Sequence, residues 1–452
     1  MNNRESFLVN AVEQHKQMIL DAERWLWKHP EVGFTEWESH KYLKEKFEEL
    51  GYEVTEAGNI PGFFTDIDTG KPGPFFCIMA ELDALDIANH PESVNGMCHS
   101  CGHHAQGAAL LGVAAAFKEP GALDGLSGKI RLMMVPAEEL IQVGFREDLR
   151  KKGIIHFFGG KPEFMYRGFL DGIDLAMMVH ASEGSDKYDF TANGANLGCI
   201  AKRFVFKGVA SHAAEPSKGV NAEYASMLGL NACNALRETF PDADCIRFHP
   251  INHGVSSAVN IIPNEIECES YVRATTLEGI KRENEKINRA LTGAALSMGA
   301  RLELHDRPGY TPEIRYAPFL QIAEECCKAI AGDERVLFRY KNVGKGSSDM
   351  GDISAVMPSI QFYSRGCAGA CHGTNFVVAD PWRLCGNAAK AQVLIADAIL
   401  SNGGEKAYEV MASYKPRFNS IPEYLEYMSK LTLDKEAVTY NEDGSVVIDF
   451  KN

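Results

Sequence analysis

The chain has 452 residues, of which 45% are hydrophobic and 24% charged, and its formal net charge is −15. This composition is typical of a globular protein with two or three domains. The negative charge argues against nucleic acid as a partner, because phosphate would be repelled. No apolar run is long enough to span a bilayer and the N-terminal residues lack a hydrophobic leader, so we expect no membrane association and a cytoplasmic location. The twelve cysteines are then expected to be thiols.

Helical spacing of apolar residues marks the start of the chain, and Gly51 ends this segment. Strands and helices alternate after it. Continuous apolar runs predict strands covered on both faces, at 74–80, 129–135, 174–179 and 359–363. A helix rich in Ala and Gly is predicted over 105–117, and its small residues would let it pack closely against its neighbours.

A different unit separates the third of these strands from the fourth. Its elements follow the order β-α-β-β-α-β, typical of an α+β ferredoxin-like sandwich, with strand 198–208, helix 221–239, strands 245–253 and 265–275, helix 276–298 and strand 301–307. We expect this unit to be inserted into the larger α/β domain. The predicted division is 1–195 and 309–410 for the large domain, 196–308 for the insertion and 411–452 for a C-terminal extension.

The segment 98–106 holds two cysteines and three histidines within nine positions, between a predicted strand and a predicted helix. Thiolate and imidazole are the side chains that bind zinc and similar divalent ions near neutral pH. A metal site is therefore the first hypothesis. Cys98 and Cys101 could instead form half of a structural zinc site, although no second Cys-x-x-Cys follows.

Further residues of the metal-binding type follow the predicted strands: Asp83, Glu138, Glu139, His180 and His372. In open α/β sheets, sites gather at the carboxyl ends of the strands. A pair of divalent ions about 3.5–4 Å apart needs several protein ligands, and five are supplied by Cys101, His103, Glu139, His180 and His372.

Glu138 lies next to a predicted ligand, where it could take a proton from the attacking water and deliver it to a leaving amine. This combination is suited to amide hydrolysis. Each residue also has a simpler interpretation. A single His such as His180 at a strand end is more often a structural hydrogen-bonding group, and a Glu-Glu pair is usually solvated.

Eight motifs in the same order resemble the M20 metallopeptidases and amidohydrolases, nearest the aminobenzoyl-glutamate hydrolases and N-acyl-amino-acid amidohydrolases. The resemblance runs over residues 20–400. The motifs are HPEVGFTE (29–36), AELDALD (80–86), GMCHSCGHH (96–104), PAEE (136–139), GVASHAAEPSKGVNA (208–222), AVNIIPNE (258–265), SSDMGDIS (347–354) and CHGTNF (371–376).

The resemblance implies an α/β, mixed-sheet catalytic domain of the zinc-peptidase type. It implies that two divalent ions (zinc, manganese or cobalt) are held per chain, with Cys101 bridging them and Glu138 as the general base. Asp83 and His104 are candidates for positions that support the ligands. The ligands that it implies are the same five: Cys101, His103, Glu139, His180 and His372.

In related enzymes the inserted unit is a lid that also forms the dimer. The resemblance therefore implies a homodimer through residues 196–308. It further implies that His212 of the partner subunit stabilises the oxyanion, that Asn260 assists and that Arg273 holds a substrate carboxylate. Without the resemblance, His212 would be interpreted as a turn residue and Arg273 as a charge on a strand face.

The chain departs from the family pattern at four places: His104, Gln106, Asp86 and the longer stretch 140–158. His104 could orient a neighbour or add a ligand. We predict a binuclear metal-dependent amidohydrolase that cleaves an N-acyl or aminobenzoyl amino acid with a free carboxylate. The alternatives are a metal-dependent dipeptidase and a non-catalytic metal-binding protein on the same fold.

Overall fold

The structure is a computed structural model that describes residues 1–184, 186–254 and 258–451. Its strands are β1 (Thr55–Glu56), β2 (Phe63–Asp68), β3 (Phe75–Glu81), β4 (Leu85–Asp86), β5 (Met97–Cys98), β6 (Lys129–Val135), β7 (Leu175–Glu183), β8 (Phe190–Ala195), β9 (Gly198–Lys207), β10 (Arg247–Phe248), β11 (Ile251–Gly254), β12 (Glu265–Ala274), β13 (Arg301–Pro308), β14 (Val336–Val343), β15 (Ser359–Ala368), β16 (Val377–Val378), β17 (Leu433–Tyr440) and β18 (Val446–Ile448).

The α-helices are α1 (Asn3–Gln14), α2 (Lys16–Trp27), α3 (Trp37–Glu49), α4 (His103–Lys118), α5 (Val143–Lys151), α6 (Gly160–Tyr166), α7 (Ala222–Ala235), α8 (Leu277–Ser297), α9 (Ala317–Ala331), α10 (Met350–Val356), α11 (Asn387–Leu400), α12 (Glu405–Ser413) and α13 (Ile421–Ser429). None of the helices in the described part of the chain combines the length and the apolar character needed to cross a bilayer.

Contacts between residues divide the chain into two units. The first contains Met1–Ala195, Glu313–Gly344 and Asp352–Ile421, and the second contains Asn196–Pro312, Lys345–Gly351 and Pro422–Asn452. The last of these segments falls within the stretch that the sequence assigns to a C-terminal extension. It belongs to the second unit because β17 pairs with β13.

The first unit is built on a mixed sheet with the strand order β1-β2-β6-β3-β7-β15-β8-β14. The central strands β6, β3, β7 and β15 pair in parallel, each with its neighbour. The pairings β1–β2, β2–β6 and β8–β15 are antiparallel. In β3 and β6 every residue after the first is buried. This burial explains why continuous apolar runs predicted the central strands, and the mixed α/β fold class is confirmed.

Helix α4 lies in the core of the first unit and contacts α2, α11 and β3. All of its residues except Lys118 are buried. Small side chains make this packing possible, since a Cβ atom at Gly112 would lie 2.5 Å from Cδ1 of Ile19. The helix is longer than predicted and begins at His103.

The second unit contains an antiparallel sheet with the order β10-β12-β9-β13-β17-β18. Helices α7 and α8 contact each other and the central strands. Along β12, half-buried and buried residues alternate without a break, as expected for a sheet with one face against helices. The six elements predicted for this unit therefore occur in the order β-α-β-β-α-β, except that the strand predicted at 245–253 is split into β10 and β11.

Candidate metal centre

The predicted ligands lie on four segments of the first unit. Neighbouring strands β6, β3, β7 and β15 run parallel, so the segments that follow them meet at one edge of the sheet. His180 lies inside β7, not at its end as predicted, because this strand continues to Glu183. Cys101 and His103 are held at the start of α4.

Cys101 lies at the middle of the five predicted ligands. Its Sγ atom is 3.6 Å from Nε2 of His180 and 3.4 Å from Nε2 of His372. The ligand atoms of Cys101, His103 and His180 all lie within 4.8 Å of one another. Nε2 of His372 is 3.1 Å from Oε1 of Glu139. The structure therefore brings all five together.

His103 is oriented by Asp83. Its Nδ1 atom lies 2.9 Å from Oδ1 and 3.0 Å from the backbone oxygen of Asp83, so Nδ1–H donates and Nε2 keeps its lone pair for a metal. Nε2 is buried and makes no hydrogen bond within the described residues. Oδ2 of Asp83 also accepts a hydrogen bond of 2.8 Å from the backbone N–H of Glu139. One carboxylate thus positions two of the predicted ligands.

The distances and the donor types fit a divalent ion such as zinc. Zn–S and Zn–N bonds of about 2.3 and 2.0–2.1 Å in tetrahedral geometry place sulfur and nitrogen ligands roughly 3.5 Å apart. The separations of Cys101 Sγ from the two histidines, 3.4 and 3.6 Å, match this value. The buried Nε2 atom of His103 is a further candidate metal ligand, because it makes no hydrogen bond within the described residues and belongs to the same group as Cys101 and His180.

The loops that carry the ligands turn through left-handed backbone conformations. Gly102 has φ = 88°, Ala137 has φ = 58° and His372 has φ = 60°. A Cβ atom at Gly102 would lie 2.4 Å from Cβ of Ala181. Glycine is therefore required between the two ligands Cys101 and His103, for its backbone conformation and for space.

Glu81 is a site residue that the sequence analysis did not single out. It is completely buried at the end of β3, with Oε1 2.5 Å from Nζ of the equally buried Lys161 and Oε2 accepting a 2.7 Å hydrogen bond from Gln106. Oε2 also lies 3.2 Å from Nε2 of His103. The sequence does contain a signal for Glu81, because it is a charged residue at the end of an otherwise apolar strand.

The longer stretch after the PAEE motif contributes Arg146, which is 1% exposed. Its guanidinium group donates hydrogen bonds to the backbone oxygens of Ala137, Glu139 and Phe158. Two of these residues flank Glu138. Helix α5 therefore supports the loop that carries the predicted general base.

Glu138 is 7% exposed, and its Oε2 atom lies 3.9 Å from Nε2 of His103. The ligand atoms of Glu81, His103 and Glu138 fall within 4.8 Å of one another. Glu138 is thus beside the predicted ligands, where a base for the attacking water is needed.

Neighbouring charged groups in the centre shift one another's pKa values. Burial would raise the pKa of Asp83, but the neighbouring His103 outweighs it and lowers this pKa to about 2. Burial would lower the pKa of His372, but Glu139 and Cys371 raise it to about 11. A hydrogen bond from Cys101 lowers the pKa of Cys371 to about 4. Metal binding here would release protons, because ligands bind in their deprotonated forms.

His104 points away from the ligands towards Glu23, with 3.2 Å between Nε2 and Oε1. Its ring also packs against Trp27 and His99 at centroid distances of 5.0 and 5.1 Å. It is absent from the candidate ligand groups of the described residues.

The other three predicted residues belong to the second unit. His212 and Asn260 are exposed, and their loops are joined by a 2.9 Å hydrogen bond from the backbone N–H of Ala213 to the backbone oxygen of Asn260. Arg273 is half-buried near the end of β12, with its guanidinium carbon 5.1 Å from the ring centroid of Tyr271.

Residues 77–382 match peptidase family M20/M25/M40, and they make up more than half of the chain. The chain belongs to this family. The prediction of a hydrolase acting on amide or peptide bonds is thereby confirmed. One of the subunits of p-aminobenzoyl-glutamate hydrolase from Escherichia coli is 28% identical over 303 residues, covering 64% of this chain and 58% of that protein.

Two further relatives extend this match. The N-acetyl-L-cysteine deacetylase of Bacillus subtilis is 28% identical over 317 residues, which cover 67% of this chain and 71% of that protein. The crystal structure of a dinuclear metal-binding peptidase of family M20 from Bacillus subtilis has a TM-score of 0.63 and 20% identity, with 86% of this chain and 99% of that chain covered. This crystal structure supports the fold.

Proposed function

We propose that this M20 protein is a binuclear metal-dependent amidohydrolase that cleaves an N-acyl or aminobenzoyl amino acid with a free carboxylate. The observation that carries the proposal is the convergence of Cys101, His103, Glu139, His180 and His372 beside the carboxylate of Glu138. The activities named for the two curated relatives supply the substrate class. Twelve free thiols favour a reducing, cytoplasmic location.

Two divalent ions held by these ligands would supply an activated water and a Lewis acid for the amide carbonyl. Cys101 would be shared between the two ions, since its Sγ atom lies 3.6 Å from Nε2 of His180 and 3.4 Å from Nε2 of His372, which are separations typical of two ligands of one ion. Glu138 takes the proton of the attacking water and delivers it to the leaving nitrogen. Asp83 keeps His103 in the required tautomer.

The second unit is proposed to complete the site. His212 of the partner subunit would stabilise the developing oxyanion, and Asn260 would assist it. Arg273 would bind the substrate carboxylate with two parallel hydrogen bonds. A homodimer through this unit is supported by α7, on which Tyr224, Met227 and Leu228 are exposed apolar residues at helical spacing.

The direct test combines metal content with hydrolysis. Wild-type protein should hold two ions per chain and cleave N-acyl amino acids and aminobenzoyl-glutamate. Glu138→Gln should retain both ions and lose about 10²–10⁴-fold in turnover. Retained turnover would exclude Glu138 as the base. A preference for substrates with a free amino group would favour the dipeptidase, and absence of all turnover would favour a binding protein.

Mixing two inactive variants tests whether His212 acts across the interface. A hybrid of His212→Ala with Glu138→Gln would contain one centre with an intact Glu138 and a His212 donated by the partner. Random exchange would restore about a quarter of wild-type activity in a twofold dimer. If His212 acts within its own chain, or if the protein is a monomer, mixing restores nothing.

A further inference from the structure

Cys371 is a half-buried thiol beside the predicted ligands, and none of the roles above uses it. Its Sγ atom, Sγ of Cys101 and a ring nitrogen of His372 lie within 4.8 Å of one another. This is one of two candidate ligand groups of the described residues that contain Cys101, and the other contains His103 and His180. A second sulfur atom, Sγ of Cys371, therefore lies close to both Cys101 and His372.

The backbone explains how two consecutive side chains reach the same place. In extended backbone, neighbouring side chains point in opposite directions. His372 instead has φ = 60°, a left-handed conformation that turns the chain between the two side chains. A 3.0 Å hydrogen bond from the backbone N–H of His372 to the backbone oxygen of Ser100 ties this turn to the loop that carries Cys101.

We propose that Cys371 is a sixth protein ligand, which binds the metal ion on the His372 side of Cys101. This inference rests on the proposed binuclear centre. The ion would be held by Cys101, Cys371, His372 and Glu139, whose carboxylate is 3.1 Å from His372. The ion on the other side would have Cys101, His103 and His180.

The inference has two chemical consequences. Thiolates favour zinc and cobalt over manganese, which prefers oxygen ligands, so the His372 side should select zinc strongly. Four protein ligands also close a tetrahedral zinc site, whereas three leave a position open. The substrate amide is therefore expected to meet the ion on the His103 and His180 side.

The test uses reduced full-length protein loaded with cobalt under anaerobic conditions. Thiolate ligands give cobalt a charge-transfer absorption, and Cys371→Ser should lower its intensity while both ions remain bound. Cys326→Ser removes a thiol on α9 and is the matched control, with unchanged absorption. Unchanged absorption in Cys371→Ser would overturn the proposal.

Competition between zinc and manganese gives a second readout. Loss of a residue that merely hydrogen-bonds a metal ligand typically lowers metal affinity by roughly 10–100-fold. Cys371→Ser removes a proposed ligand itself, so it should reduce the preference for zinc over manganese by at least this factor. An unchanged preference would contradict a Cys371–metal bond.

If the variant does not fold, X-ray absorption of zinc-loaded wild-type protein tests the proposal by counting the sulfur neighbours of zinc. A bridging Cys101 plus Cys371 gives an average of about 1.5 sulfur neighbours per zinc, and Cys101 alone gives about one. Failure of the proposed function would show separately, as wild-type protein that holds fewer than two ions or hydrolyses no amide.

Discussion

Replacing Lys161 by methionine would leave the carboxylate of Glu81 buried without its cation. Both side chains are completely buried, and 2.5 Å separates Nζ from Oε1. Removing one partner of a buried ion pair destabilises a protein by about 3–5 kcal/mol. The first unit has about 300 residues, and an unfolding entropy of about 2.1 cal/mol/K per residue converts this into a fall of about 5–8 °C in Tm.

Scanning calorimetry of chelator-treated protein measures this fall in the transition of the first unit. The double variant Glu81→Gln/Lys161→Met should recover most of the lost stability, because it contains neither charge. Lys202→Met is the matched control, since it breaks the buried Lys202–Asp306 pair of the second unit and should act on the other transition. An unchanged Tm in Lys161→Met, or a double variant as unstable as the sum of the single variants, would refute the reasoning.

Three further predictions concern single side chains. Arg146→Met should lower kcat while the metal content measured by mass spectrometry stays at two, because the loop around Glu138 loses the hydrogen bonds that Arg146 donates to the backbone oxygens of Ala137 and Glu139; unchanged kcat would show that the loop holds its place without them. Arg273→Ala should raise KM about 10–100-fold for carboxylate substrates, as for a lost charged hydrogen bond, and leave KM for the corresponding amides unchanged; equal effects on both would exclude a carboxylate clamp. His40 has a pKa held below 6.5 by burial, despite its contact with Glu56, so unfolded chains bind the extra proton and its contribution to stability is lost as pH falls below about 6.5. The slope of Tm between pH 8 and 5 should therefore be flatter in His40→Gln, and a steeper slope would contradict the sign.

The central strands could be predicted from the sequence because they are buried on both faces. The bounds of β6 agree with the predicted 129–135. Two strands with only two buried residues each, β14 and β17, were missed. β14 buries Val336 and Phe338 only, and β17 buries Ala437 and Val438 only. Such short apolar pairs resemble loop sequence, and partners elsewhere in the chain decide whether they become strands.

The predicted metal ligands could be singled out from the sequence because thiols, imidazoles and carboxylates near the ends of predicted strands are the side chains that bind divalent ions. Residues that support the ligands carry no such signal. Lys161 and Arg146 are of types that are almost never fully buried unless they are paired, and their partners, Glu81 and the backbone at 137–139, are 80 and 7–9 positions away in sequence. These contacts depend on packing that the sequence pattern does not report.

The left-handed residues show why motif positions without metal-binding chemistry still matter to the site. Ala137 adopts φ = 58°, which costs a non-glycine residue roughly 1–2 kcal/mol. Its backbone N–H donates a 2.8 Å hydrogen bond to the buried carboxylate of Glu36, from the HPEVGFTE motif a hundred positions earlier. Glu36 therefore holds the turn that aims Glu138 and Glu139, as Gly102 permits the turn between Cys101 and His103. Substitutions at Glu36 or Gly102 would displace ligands without removing one, so residues of both kinds define the centre.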